Sequence, residues 1–424
     1  PVVWEICIGV SSRRYRLHYT GDDLALCTLW ILNRSLCAYS KRGKFSVRSS
    51  SFGEAMVTRR AWSYTGKRVG RISDLQLVND TAPEVRLGEI RVSVKAVGLN
   101  FADVFTCLGL YNAFPGKGIP GLEFAGVVEE VSEPGSSTAR EGENPKVLEA
   151  ATGSLKNLRV GDRVMGVTRF GAFADQVVVP AHQVRPLPSG WSFAQGASFL
   201  VQGLTAIYGL RGLGDIRKGD CVLVHSGAGG VGLYALAICE AVGAKPVATV
   251  SSPSKVDFLL GRFKSLTKDT VIVRDAASFQ QQLEGALSAS GSSGFDIVFD
   301  SLCGRFFEPA HGLLAVGGRH VVFGAADLTP RGDSVGWLRI AWQYVRRPRL
   351  DPMAMIGQNR AVLGFNLIWM FDKVELLADL VDGLASLSLP PPHIGEELPF
   401  EQAQEAIRRL QSGTTRGKVV LTLG

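Results

Sequence analysis

The chain has 424 residues, 46 % hydrophobic and 20 % charged, which is ordinary globular usage, excludes disorder throughout, and allows two or three domains with sizeable cores. Its formal charge of +7 is concentrated at one end: residues 1–55 hold eight Lys/Arg against four Asp/Glu, leaving 38 basic and 35 acidic residues for the rest. The folded part therefore carries no electrostatic footprint for nucleic acid.

Seven cysteines at 7, 27, 37, 107, 221, 239 and 303 include no Cys-x-x-Cys pair, which argues for free thiols in a reducing compartment and against a four-cysteine zinc site. The longest apolar run, Leu24 to Leu32, is about half what a bilayer span requires.

Residues 1–55 differ in kind from the rest of the chain. Between Leu24 and Gly53 stand five basic residues, six serines and no acid, the composition of an organellar transit segment (plastid or mitochondrion). Two other readings stay open, a translated leader upstream of Met56 and a disordered extension; without a transit role the chain is expected in the cytoplasm.

From Val57 the pattern becomes that of a folded domain. Ile90 to Ala96 alternates apolar and polar and predicts a half-buried antiparallel strand. Gly126 to Val131, Arg163 to Val167 and Phe173 to Val179 add short β-branched strands punctuated by glycine and proline, so 56–193 reads as a β-rich domain. Within it, about 134–155 is rich in Gly, Ser and Glu and reads as a surface loop insertion.

Past Phe193 the period changes. Strands at 222–224, 247–250, 271–273, 296–299 and 320–323 alternate with helical stretches, the pattern of a doubly wound parallel sheet over 194–357. Residues 358–424 return to the first domain, ending in the strand-like Lys418 to Leu423. The overall class is α/β.

The first strand of that sheet runs into His225-Ser226-Gly227-Ala228-Gly229-Gly230-Val231-Gly232, a Gly-x-Gly-x-x-Gly in the strand–turn–helix setting that a dinucleotide pyrophosphate needs. Gly227 permits the turn, Gly229 lets the backbone approach the phosphates and Gly232 lets helix pack on strand. About twenty residues on, where an NAD enzyme places an acid, stands Thr249-Val-Ser251-Ser252-Pro-Ser254-Lys255. Hydroxyls and an ammonium suit a ribose 2′-phosphate, so NADP(H) is favoured. The same serines read equally as a cap for the next helix, and the two roles are compatible. Arg274, at the end of the next strand, reads as a solvated strand end sooner than as a phosphate partner.

Several motifs together resemble the zinc-free quinone oxidoreductase (zeta-crystallin-like) branch of the medium-chain dehydrogenase/reductase superfamily. They are Gly98-Leu-Asn100-Phe-Ala-Asp103-Val104, Gly109-Leu-Tyr111, Ile119-Pro-Gly-Leu122-Glu123-Phe-Ala-Gly126, Val160-Gly-Asp-Arg-Val164, Gly203-Leu-Thr205-Ala206, the glycine turn, and Thr415-Arg-Gly-Lys418-Val-Val420. Phe365-Asn366, after Arg360 to Gly364, looks like the vesicle amine transport protein-like subgroup, and Phe295 to Leu302 is similar to enoyl reductase domains of polyketide synthases.

The resemblance implies a GroES-like β domain beside a Rossmann NADP(H) domain, with Asn100 and Thr205 near the nicotinamide. It places the Phe323-Gly324 backbone at the carboxamide, and brings Asn366 and Lys418 to the cofactor. Tyr111 matches the proton donor of related enoyl-thioester reductases, or is a packing residue of the cleft wall; Asp103 braces its loop. Where zinc enzymes of the superfamily carry Gly-His-Glu, this chain has Gly121-Leu122-Glu123, and no cysteine occupies the preceding ligand position near Asn100, so no catalytic metal is expected.

The expected activity is NADPH-dependent hydride transfer to a quinone or α,β-unsaturated carbonyl, whose charge spreads as a phenolate or enolate that hydrogen bonds can hold. Two alternatives remain: a non-catalytic NADPH-binding protein associated with membranes or partners, and an enoyl-thioester reductase. A homodimer is expected from the resemblance alone. Trp337, Ile340, Ala341, Tyr344 and Val345 form one apolar helical face before Arg346, Arg347 and Arg349, which reads as a buried helix with a basic end sooner than as a membrane-surface helix.

Overall fold

The computed structural model describes residues 57–64, 70–132, 142, 144–330, 332–336, 341–342, 345 and 347–424. The segment 1–55, with its transit or leader reading, lies outside the described residues, as do Trp337, Ile340 and Tyr344.

In chain order come β1 (Thr58–Ser63), β2 (Gln76–Thr81), β3 (Glu89–Gly98), β4 (Glu123–Val131), β5 (Arg163–Val167), β6 (Gln176–Pro180) and β7 (Val184–Pro186). The Rossmann strands follow: β8 (Cys221–Val224), β9 (Lys245–Val250), β10 (Val271–Val273), β11 (Phe295–Asp300), β12 (Leu314–Val322) and β13 (Ala361–Gly364). The chain closes with β14 (Ile394–Pro399) and β15 (Lys418–Thr422).

The β-rich lobe is built around β3, which pairs antiparallel with β4, β6 and β15 in a sheet ordered β14-β15-β3-β4-β5-β7 with β6 attached to β3. Alternation in β3 predicts a half-buried strand, and Ile90, Val92 and Val94 are buried on one face while Ser93 and Lys95 on the other are half-exposed; Arg91 on that second face is buried, its guanidinium bonded to Glu130 at 2.9 Å. A charge covered in this way must be paired. The last strand pairs back into this lobe as expected, Val420 opposite Gly98.

The stretch read as a loop insertion contains a helix, Pro145–Leu155. Asn144 caps it, accepting the Lys146 N–H at 3.0 Å, Pro145 takes the first helical turn, and Val147 and Ala151 are buried. Polar composition hid a cap, a Pro start and an apolar stripe.

The second lobe is a parallel sheet ordered β10-β9-β8-β11-β12-β13. The chain runs outward from β8 to β10 and returns to β11 beside β8, so the switch point lies between β8 and β11, where a doubly wound sheet opens a ligand crevice at its strand ends. β13 pairs parallel with β12, Ala361 opposite Arg319. The return to the β-rich lobe, placed from the sequence at 358, therefore comes after Gly364. That strand is too short to stand out from its surroundings until β12 is available to pair with it.

At the two described positions of the expected buried helical face, Ala341 and Val345, the residues are exposed, so they sit on the surface rather than in a core. Among the described residues no helix is long and apolar enough to cross a membrane.

Candidate active site

The glycine turn lies at the switch point. Ser226 adopts a left-handed conformation, φ 55°, and accepts a 3.0 Å hydrogen bond from the Ser301 hydroxyl just past β11, tying the two strand ends together. Gly229 caps the helix Gly230–Val242 with extended backbone and no side-chain cap, so no cap side chain occupies its first-turn N–H groups. The Gly417 N–H donates to Ala228 O at 2.8 Å, bringing the start of β15 across the turn. Gly232 has no room for a Cβ, which would run into Ser226 O and lie 2.8 Å from Gly227 Cα. Ala228 is buried and Val231 half-buried, both packing in the core below the turn.

At the end of β9, Ser251 and Lys255 share Gly413 O as acceptor, at 3.1 and 2.7 Å, and the Lys255 ammonium also donates to the Ser251 hydroxyl at 3.2 Å. The helix Ser254–Leu260 has no side-chain cap hydrogen bond, so the serine hydroxyls are not spent as its cap; the Ser252 hydroxyl bonds that of Ser254 at 3.2 Å. Burial, then the charges of Arg274 and Arg416, pulls Lys255 down to about 8. Arg274 is no solvated strand end: it is half-buried, donates to the Thr249 hydroxyl at 2.9 Å and lies against the Phe306 ring. These three cations crowd together where an anion would relieve them.

A second cluster joins the lobes. Glu123, at the start of β4 and 1 % exposed, accepts from Asn100 Nδ2 at 3.0 Å, Gln202 Nε2 at 3.1 Å and the Val201 N–H at 3.2 Å, and pairs with the buried Lys418 ammonium. Asn100 Oδ1 accepts from Gln202 at 2.7 Å and Lys418 at 2.9 Å. Asp103 accepts the Asn100 N–H at 2.7 Å and so braces the loop, as expected; burial pushes it up to about 7, against the pull of that hydrogen bond and of Lys418. Burial lowers Lys418, and Glu123 opposes this.

Glu123 and Gln202 were not singled out from the sequence. The available signal was an acid opening a glycine-rich apolar strand and an amide inside an apolar helix, both of which need buried partners.

Tyr111, in the β-rich lobe, donates to Asn366 Oδ1, just past β13, at 2.9 Å and packs edge-on against Phe170. Burial raises its phenol, which Asn366 partly offsets. Phe323 stacks on Phe299 with centroids 4.2 Å apart, and Gly324 passes close to the Ser301 carbonyl. Thr205 stands apart: it is buried and its hydroxyl is spent on Val201 O of its own helix, at 2.6 Å. The structure thus unites Asn100 with Lys418 and Tyr111 with Asn366, and leaves Thr205 out of both groups.

A parallel sheet with an uncapped glycine turn at its switch point, joined through a buried polar cluster to a β-rich lobe, defines a two-lobed dinucleotide oxidoreductase. A family model described as an alcohol dehydrogenase GroES-like domain matches residues 86–189, and one described as a zinc-binding dehydrogenase matches 267–421. The synaptic vesicle membrane protein VAT-1 homolog of Rattus norvegicus is 31 % identical over 343 residues, 80 % of this chain and 77 % of the relative. The pikromycin polyketide synthase component PikAII of Streptomyces venezuelae is 39 % identical over 243 residues, 57 % of this chain and 6 % of that protein. Among solved structures, the quinone oxidoreductase of Thermus thermophilus, known also in complex with NADPH, is 29 % identical with a TM-score of 0.63, covering 86 % of this chain and all of that one. The chain belongs to the quinone oxidoreductase-like branch of the medium-chain dehydrogenase/reductase family, alongside the VAT-1 homologues.

Proposed function

We propose that the protein is an NADPH-dependent reductase of quinones or α,β-unsaturated carbonyls that works without zinc. The observation carrying this reading is the Lys418–Glu123–Asn100–Gln202 cluster. Its one carboxylate, Glu123, already accepts three N–H groups and an ammonium, and Asn100 Oδ1 accepts the same ammonium. A second cation has no thiolate or imidazole to bind there and would be repelled by Lys418, so the donor set does not fit zinc.

The cofactor fits the residues present. First-turn N–H groups after Gly229, which no cap side chain occupies, suit a pyrophosphate, and Ser251, Lys255 and Arg274 suit a 2′-phosphate; burial and then the nearby Arg274 and Arg416 lower Lys255, and burial lowers Arg274 against the pull of Asp327 and Asp300. The Thermus thermophilus quinone oxidoreductase is known with NADPH, which supports the same assignment. When bound, NADPH supplies the hydride. Lys418 holds positive charge at the lobe junction, the Asn100 side chain is fixed by Gly98 O, Glu123, Gln202 and Lys418, and burial keeps the Tyr111 phenol protonated at neutral pH. Asn366 orients that phenol until a substrate oxygen or carbon takes the proton.

The test is NADPH oxidation with phenanthrenequinone and simple enones, with and without a chelator. Turnover unaffected by chelator is expected; tight NADPH binding with no turnover of any acceptor would overturn the proposal. The PikAII match favours a second reading, an enoyl-thioester reductase. It predicts that Tyr111→Phe slows crotonyl-thioester reduction about 100-fold, the size of one general-acid contribution; an unchanged rate removes Tyr111 from the chemistry.

A further inference from the structure

A crevice of about 330 Å³ lies where the segment Pro390–His393 crosses the outer side of the helix Gly230–Val242, with the Tyr234 hydroxyl donating to Pro390 O at 3.3 Å. It is far larger than the water-sized voids of a packed interior and falls in the size range of small-molecule sites. Gly230 and Lys418 contribute to its wall, so it borders the dinucleotide crevice at the start of that helix, but Ser251, Lys255, Tyr111, Phe323 and Asn366 do not line it.

Its chemistry is lopsided. Leu233, Tyr234, Ala237 and Phe263 give an apolar wall; Arg262 and Lys418 supply positive charge beside His393, and no Asp or Glu among the described residues lines it. The Arg262 guanidinium lies over the Phe258 ring at 4.9 Å, with His393 against the same ring at 5.1 Å and Arg416 at 5.7 Å. Neither arginine has a carboxylate partner among the described residues. Burial, then Arg262 and Arg416, holds His393 below its usual value, leaving a neutral imidazole to donate an N–H. An apolar wall beside an unpaired guanidinium matches a ligand with an apolar body and one negative end.

We propose that this crevice binds a medium-chain carboxylate, its chain against Leu233, Tyr234 and Phe263 and its carboxylate at Arg262. The test is calorimetric titration of the full chain with decanoate below its micelle concentration, without NADPH and with saturating NADPH. One decanoate per chain is expected in both cases, whatever the enzymatic activity proves to be. Decanol should bind at least about tenfold more weakly, and Arg262→Ala should weaken decanoate by a similar factor, as loss of a charged hydrogen bond implies. Arg262 is exposed, so this variant should fold; Ala237→Trp should fill the crevice and abolish binding with NADPH affinity retained. Absence of binding, equal affinity for decanol, an unaffected Arg262→Ala variant, or displacement by NADPH would each overturn the proposal.

Discussion

Replacing Lys418 by Met would leave the Glu123 carboxylate buried without its cation, since the two side chains are 4 % and 1 % exposed. Breaking a buried pair from one side costs about 3–5 kcal/mol, much of it for the stranded charge. Three N–H groups, from Val201, Asn100 and Gln202, still reach Glu123, so the lower end, about 3 kcal/mol, is expected. Denaturant unfolding would measure it, and Lys418→Met/Glu123→Gln should recover at least half because no charge remains stranded. The single variant Glu123→Gln adds a check of sign. Burial already lowers Lys418, and without Glu123 nothing as close opposes it. The folded state then binds fewer protons than the unfolded chain below the ordinary lysine value, so stability should rise with pH from neutral to alkaline, more steeply than in the wild type. A Lys418→Met loss below about 1 kcal/mol, the scale of an exposed pair, would refute the reasoning.

Lys255 titrates near 8 without ligand, and a 2′-phosphate favours its charged form. NADPH affinity measured by fluorescence titration should therefore fall as pH rises through about 8, while NADH affinity stays level; Lys255→Gln should flatten the NADPH profile and weaken NADPH about tenfold, one charge-assisted hydrogen bond. Gly232→Ala pushes a methyl into Ser226 O and Gly227, an overpacking expected to cost about 2 kcal/mol in denaturant unfolding and to weaken both dinucleotides; wild-type stability and affinity would contradict the assigned role of Gly232.

Much of the architecture is legible in the residues alone. The change from short punctuated strands to strands alternating with helices separates the lobes near Phe193, and the glycine turn after Val224 locates the switch point, because these signals are local and periodic. The helix Pro145–Leu155 escapes such a reading because the segment's Gly, Ser and Glu content outweighs its short apolar stripe. β13 falls to the wrong lobe because four residues carry no periodicity of their own.

The sequence by itself determined that a dinucleotide crevice exists, that its second strand ends in hydroxyls and a lysine rather than an acid, and that the histidine and cysteine a catalytic zinc would need are missing. Each is a matter of residue type at a fixed spacing along one stretch of chain. Only the tertiary structure decided that Glu123 is matched by Lys418, 295 residues away, that Tyr111 meets Asn366, and that Thr205 turns its hydroxyl into its own helix. Buried charges and polar side chains take whichever partners the packing of the two lobes brings within hydrogen-bond reach, and no local pattern encodes that choice.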